Sequence, residues 1–391
     1  MIKVSKQTIS QRDENALIQA LRDEFLTGGI SVSKFEQRFA SFVGCKEAIA
    51  VSSGTAALHL ASIILGLKAG DAVFVPCNTF AATINSIIYV GATPIIVDVD
   101  LKDGNMCPQS LLDGIQLACN LKLNAKAVFV VHFAGHPANM ISITEIAKQN
   151  GIDVVEDSCH ALGAQVKSFQ NSNFQHCGTQ GDLAVWSFHP TKHITTGEGG
   201  MLTTNNSELA SKARMYRNHG IFRDEGNQQK YPWLYDIKVI GHNFRMSDLN
   251  AALGISQLES IEDKLTRHRA VASMYHDFLK GFNLVEPLGE PQSERHKHAY
   301  HIFPVKIDFK GEGFFRGKLM SYLLGQGIQT QVHYIPLHFH SAYRAMSIPK
   351  VNLKNGEKLY TSILSLPMHE GVSDQDVVKV ISLLEKGLKQ C

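Results

Sequence analysis

The chain lacks a CxxC pair, an HExxH helix, an excess of either charge, and any apolar run long enough to cross a bilayer. Its seven cysteines (Cys45, Cys77, Cys107, Cys119, Cys159, Cys177 and Cys391) are odd in number and scattered. That spacing argues against a disulfide framework or a zinc site, and for a reducing compartment. The eighteen histidines include His296, His298 and His301 but form no metal-ligand pattern, so no metal is expected. A formal net charge of +2 leaves no electrostatic footprint for nucleic acid, and any anion site must be local. The opening MIKVSKQTIS carries no apolar signal stretch. The most apolar segment, AALHLASIILGL, is too short to span a membrane and contains His59. A soluble cytoplasmic protein without a membrane partner is expected.

What the sequence does contain is alternation. Short apolar runs recur at 48–51, 72–75, 94–97, 127–131, 152–155 and 183–188, with helix-like stretches such as 56–65 and 141–150 between them. That order predicts an α/β fold with a mainly parallel central sheet flanked by helices. Ser10-Gln-Arg-Asp13 reads as a capping box, with Leu17, Leu21 and Phe25 at helical spacing behind it. Thr27-Gly28-Gly29 breaks that helix, and Ser33-Lys-Phe-Glu36 opens the next, with Phe35, Phe39 and Phe42 on one face. Beyond about Ser256 the pattern changes to a helix (258–279), strand (302–307), helix (314–324), strand (328–332) and helix (374–388). This divides the chain into a large domain, 1–255, and a smaller carboxy-terminal α/β domain, 256–391. The stretches 170–180 and 223–229 read as surface loops.

Three segments can carry chemistry. Ser52-Ser-Gly-Thr-Ala-Ala57 follows a strand and opens a helix, where free amides and the helix dipole favour a phosphate; an ordinary capped turn has the same pattern. Asp153-Val-Val-Glu-Asp157, followed by Ser-Cys-His160, puts carboxylates at the end of a buried strand, able to hold a ring nitrogen protonated or simply to face solvent. Trp186-Ser-Phe-His-Pro-Thr-Lys192 runs into the turn Thr196-Gly-Glu-Gly-Gly200 and then the strand 201–204. A lysine on such a turn, in a partly dry site, can shift its pKa and form a Schiff base.

In order, the motifs SSGTAALHLA, CNTFAAT, VVEDSCHALGA, SFHPTKHITTGEGG and GHNFRMSDLNAALG resemble the DegT/DnrJ/EryC1/StrS family of sugar aminotransferases over nearly the whole chain. The resemblance implies an aspartate-aminotransferase-like fold dependent on pyridoxal 5'-phosphate. It implies Lys192 as the Schiff-base lysine and Asp157 as the partner of the pyridine nitrogen. Gly54, Thr55, Ala56 and Ser187 fall at the cofactor phosphate, Phe80 against the ring, and His160 beside the ring hydroxyl. Asn243 matches an asparagine that reaches the phosphate from a neighbouring subunit, implying a homodimer with a shared site. Leu26, Thr27, Gly28 and Gly29, and Gln331, His333 and Tyr334, resemble segments at the sugar-nucleotide site; Ile30 stands where the family usually has proline.

The implied reaction moves an amino group from L-glutamate to C4 of a nucleotide-linked 4-keto-6-deoxy sugar. The lysine and GHNFRMS segments look closest to the pseudaminic-acid branch, whose transaminases make UDP-4-amino-4,6-dideoxy-N-acetyl-beta-L-altrosamine from a UDP-linked 4-keto-6-deoxy-N-acetylhexosamine. A dTDP- or GDP-linked ketone is the alternative. A sugar deoxygenase would carry histidine in place of Lys192, and His193 lies next to it. A non-catalytic regulator that binds the cofactor is a further alternative.

Overall fold

The structure, a computed structural model, describes residues 1–167, 173–309 and 313–390. Its centre is a seven-stranded sheet in the order β1 (Glu47–Val51), Gly200–Thr204, Leu183–Ser187, β5 (Asp153–Asp157), β4 (Asn124–Val131), β2 (Asp71–Pro76) and β3 (Thr93–Val97). The five strands from Leu183–Ser187 to β3 are parallel, and Gly200–Thr204 runs antiparallel to both its neighbours. These strands are Val-, Ile- and Ala-rich and almost wholly buried, as expected for a sheet covered on both faces. The expected strands of this sheet are all present.

The capping box forms as expected: Ser10 and Asp13 bond reciprocally at the start of α1 (Gln11–Arg22). α1 stops before Phe25, however, and Leu21 and Phe25 are exposed rather than on a buried face. α2 (Ile30–Val43) begins three residues before the expected start. Its cap comes from elsewhere in the chain. The buried Asp248 carboxylate accepts the amides of Gly29 (2.8 Å), Ser31 (2.9 Å) and Val32 (3.3 Å). Phe35 and Phe39 of α2 pack on Trp186 and Phe188, which fixes this helix against the strand that leads to the lysine segment.

A second core gathers around a three-stranded antiparallel sheet, Val285–Pro287, Phe303–Ile307 and Ile363–Leu366. The helices Ile261–Leu279, Gly313–Gly325 and Asp374–Gln390 contribute to this core. Four expectations need correction. The helix 258–279 is two helices, Asp248–Glu259 and Ile261–Leu279, meeting at Ser260. Residues 328–332 form isolated bridges, Ile328 to Ile2 and Gln331 to Ser365, because their partners lie on different segments. Glu225–Lys230 is a short helix within the expected loop 223–229. Phe174–His176 pairs with Gln165–Lys167, so the stretch 170–180 is not all loop; its residues 170–172, like Cys391, lie outside the described residues.

Candidate active site

Parallel strands end together, and α/β proteins bind ligands at that edge. Here the β1–α3 turn, the residues after β2, the end of β5 and the link 188–199 meet at one such edge. Together with His301, His333 and Tyr334 they enclose a cavity of about 400 Å³.

α3 (Gly54–Ile64) starts at its wall. Ser53 Oγ accepts the Ala56 amide at 3.1 Å, leaving Gly54 and Thr55 to open the helix beside the cavity. A helix start has unspent amides and partial positive charge, a setting suited to phosphate. The backbone packs tightly here. A Cβ on Gly200 would collide with the Ser53 carbonyl, and one on Gly54 would lie 2.9 Å from Ser187 Cβ. Glycine at both positions is what brings Ser187 alongside the start of α3.

Asp157 ends β5 with both carboxylate oxygens engaged. Thr83 Oγ1, on α4 (Ala81–Tyr89), donates to Oδ2 at 2.9 Å, and the Cys159 amide donates to Oδ1 at 3.2 Å. Because Thr83 gives its proton to Asp157, it accepts from Thr79 Oγ1, 2.9 Å away. All three side chains are buried. The neighbouring Glu156 points to the other side, where it accepts from His132 Nε2 (2.8 Å) and the amides of Gly178, Gln180 and Gly181. That buried network fixes β5 from behind.

Lys192 lies in the link between the antiparallel strands, on a turn where its amide bonds the His189 carbonyl at 2.8 Å. Gly197 further along the link takes φ +79°, as the expected glycine-rich turn requires. The Lys192 ammonium forms no ion pair with a carboxylate among the described residues. Burial pulls its pKa below the usual lysine value, against the attraction of Asp157. Its nearest polar partner is His301 Nε2 at 3.4 Å. Tyr334 donates or accepts at His160 Nε2 over 3.1 Å, and burial with the Asp157 charge raises its phenol pKa. His333 Nδ1 is 2.8 Å from Ser365 Oγ, and burial takes its pKa down to about 4. Phe80 is 60% exposed at the mouth, free to cover a ring.

The cavity therefore brings together Gly54, Thr55, Phe80, Asp157, His160, Ser187, Lys192, His333 and Tyr334. It does not include Ala56, which faces the core of α3, nor Leu26, Thr27, Gly28, Gly29, Asn243 or Gln331. Asn243 and Gln331 are exposed. The sequence reading missed Thr83 and His301. Thr83 stood one helical turn after Phe80 and could have been found from that spacing. His301 is 109 residues from Lys192, and no local pattern links them.

Comparison with known proteins agrees with this geometry. Residues 7–385 match the DegT/DnrJ/EryC1/StrS aminotransferase family. A UDP-4-amino-4,6-dideoxy-N-acetyl-beta-L-altrosamine transaminase of Campylobacter jejuni is 36% identical over 396 residues, covering 99% of this chain and 98% of that protein. A putative sugar aminotransferase of Streptococcus pneumoniae in its PMP form superposes with a TM-score of 0.91 at 25% identity, covering 100% of both chains. The PseC aminotransferase of Helicobacter pylori, involved in pseudoaminic acid biosynthesis, superposes with a TM-score of 0.87 at 27% identity, again covering 100% of both chains. With the family match over residues 7–385 and these likenesses over nearly the whole chain, this chain belongs to the DegT/DnrJ/EryC1/StrS family and is a sugar aminotransferase.

Proposed function

We propose that the cavity binds pyridoxal 5'-phosphate through Lys192 and that the enzyme moves an amino group from L-glutamate to C4 of a UDP-linked 4-keto-6-deoxy-N-acetylhexosamine. The observation that carries the reading is Lys192: a partly buried amine, without a carboxylate ion partner among the described residues, on a cavity that also holds Asp157. The residues fit the cofactor. The start of α3 with Thr55 and Ser187 suits its phosphate, Asp157 its ring nitrogen, Phe80 its ring face, and His160, whose buried Nδ1 has no partner among the described residues, its remaining polar edge. When bound, pyridoxal phosphate supplies the electron sink for the donor's α-carbon. The chain's own part is proton handling and position. The Lys192 amine takes and returns the proton at that carbon. The Asp157 carboxylate, held by Thr83, keeps a proton on the ring nitrogen.

The UDP-sugar assignment rests on the Campylobacter relative and on the Helicobacter neighbour. We place Leu26, Thr27, Gly28, Gly29 and Asn243 at the partner subunit's site in a homodimer. They lie off their own chain's cavity, and Leu21, Phe25, Leu26 and Ile30 leave an exposed apolar face beside them. Lys192 lines the cavity, whereas His193 is turned away, its Nε2 bonding the Ala299 carbonyl at 2.9 Å, so the arrangement favours transamination over the deoxygenase alternative. No helix among the described residues is long and apolar enough to cross a membrane, in keeping with the cytoplasmic placement proposed here.

Borohydride reduction of the cofactor-loaded enzyme followed by peptide mapping tests the centre of this reading; the label is expected on Lys192, and a label on another lysine overturns it. Competing UDP-, dTDP- and GDP-linked 4-keto sugars in one reaction with glutamate tests the substrate. A dTDP or GDP preference in the ratio of kcat/KM values moves the enzyme to another branch.

A further inference from the structure

His301 comes from the carboxy-terminal part of the chain, two residues before the strand Phe303–Ile307, yet its ring lines the cavity. It is 5% exposed. Its Nε2 lies 3.4 Å from Lys192 Nζ, the shortest polar contact that the amine makes among the described residues. A lysine amine in its charged form can only donate, so Nε2 is the acceptor and the ring's own proton sits on Nδ1. Nδ1 is buried and has no partner among the described residues. A buried polar nitrogen left unpaired is costly, and a purely structural histidine ordinarily avoids it. His160 is packed on the same ring with centroids 4.3 Å apart, and its Nδ1 is also unpartnered. The His193 ring lies 5.6 Å from that of His301, centroid to centroid.

We propose that His301 is a further catalytic residue, the acceptor that takes a proton from Lys192 when the freed amine must act as a base, and returns it afterwards. The inference rests on the assignment of Lys192 as the cofactor lysine. The step is balanced within the pair. One N–H bond of the Lys192 ammonium breaks, its electron pair stays on Nζ, and the proton forms an N–H bond at His301 Nε2. The lysine becomes a neutral amine with a lone pair, and the histidine becomes an imidazolium. The surroundings disfavour the imidazolium, so the proton can rest there only transiently. Burial holds His301 well below the usual histidine range, and the charged Lys192 with His160, His193 and His333 pushes the same way. The imidazolium is therefore short-lived and gives the proton back. The neighbours that face this ring are Lys192, His160, His193 and His333, with the Asp157 carboxylate and the Tyr334 phenol across the cavity.

Two variants and two measurements test it. His301→Ala opens space at the ring, and His301→Gln keeps a polar side chain of similar reach that does not titrate. In cofactor-free protein, competitive acetylation at a series of pH values, read by mass spectrometry on the Lys192 peptide, gives the amine's own titration curve. His301→Ala is expected to shift that curve to lower pH, since the buried ammonium loses its acceptor, and His301→Gln, whose carbonyl oxygen still accepts but cannot take a proton, to shift it less while slowing the half-reaction as well. In loaded enzyme, the glutamate half-reaction is expected to slow by roughly 10²–10⁴-fold in His301→Ala, the range for loss of a general acid–base group. Added imidazole should restore it in proportion to the unprotonated form. A merely structural role would give neither the shifted Lys192 curve nor the imidazole rescue. An unchanged curve together with a half-reaction near wild type, or a slow half-reaction that imidazole does not restore, overturns the proposal. Borohydride labelling of the same variants separates the two readings: label still on Lys192 leaves the cofactor assignment standing even if His301 fails.

Discussion

In the proposed reaction Asp157 is set in place by neighbours that line the same cavity. Thr83 donates to one of its oxygens and the Cys159 amide to the other, so the carboxylate is held in one orientation. A hydrogen bond to a charged group is worth about 1.5–3 kcal/mol, or roughly 10–100-fold in rate when the charge matters to the reaction. Thr83→Val should therefore slow the glutamate half-reaction by about that factor, while Thr83→Ser, which keeps the hydroxyl, should restore most of it. Equal activity in the Val and Ser variants would show that the hydroxyl is spectator. Asp157→Asn should be slower still with its fold intact, because an amide of the same shape cannot hold a proton on a ring nitrogen by charge; circular dichroism and the half-reaction together check both parts. Asp157 and Lys192 were legible as residues because each sits at the end or turn of a recognisable strand. Thr83 was legible only through its spacing one helical turn after Phe80, and His301 was not, because its importance lies in what it touches across the fold.

Elements were legible where the signal is local. The Ser10–Asp13 box and the buried strands β2, β3 and β5 carry their own pattern, and they form where expected. The start of α2 was misplaced because its cap is not local: Asp248 reaches it from 217–219 residues away. The same contact explains part of a motif. In sequence, Gly28-Gly29 reads as a helix break and, by resemblance, as part of a sugar-nucleotide segment; in the fold, a Cβ on Gly29 would lie 2.9 Å from the Asp248 carboxylate. Asp248→Ala removes the acceptor for three amides at the head of α2. The expected loss of stability is about 1–3 kcal/mol, the cost of leaving a buried donor unpaired, with Asp248→Asn losing less because one acceptor oxygen remains. The urea midpoint measures it, and a midpoint unchanged in Asp248→Ala would mean that water replaces the carboxylate without cost. The strand expected at 328–332 does not form for a related reason: an extended segment becomes a strand only beside a continuous partner, and here the partners are split between Ile2 and Ser365.

At the scale of the whole molecule, two properties follow from how the parts are joined. If Asn243 serves the partner's site, mixing Lys192→Ala chains with Asn243→Ala chains should restore activity, because one site of each hybrid dimer then carries neither defect; no recovery despite proven exchange would place Asn243 in its own chain or outside the site. The second property is acid sensitivity. Histidines from both halves of the chain are buried, and burial keeps several of them neutral. His268 and His333 are lowered to about 4, and His160, His193, His298 and His301 are held well below the usual value, in each case first by burial. In the unfolded chain each would take up a proton near pH ~6.5. Below that pH the unfolded state binds more protons than the folded state, so stability falls as pH falls. The fall continues to about pH 4 for His268 and His333, and lower for the others. Glu156 adds a later loss: its folded pKa is depressed below the ordinary 4.5, since His132 and three amides outweigh burial, so its stabilisation is present above that value and disappears in stronger acid. His132 moves the other way. Burial opposes its charge, but Cys177 and Glu156 raise it to about 10, so its contribution is complete below pH ~6.5 and is lost only as pH rises through about 10. Six groups against one set the sign in the acid range. Urea unfolding of the cofactor-free protein at pH 8, 7, 6 and 5 should show stability nearly level to pH 7 and then dropping with more than a single-proton slope, which is about 1.4 kcal/mol per pH unit. His268→Gln removes one titrating group and keeps a side-chain amide donor for the Tyr300 carbonyl that His268 Nδ1 meets at 2.8 Å. It should flatten the slope between pH 6 and 5 by up to one proton. A profile that stays level or rises from pH 7 to pH 5 would mean that these histidines are reached by water in the folded protein.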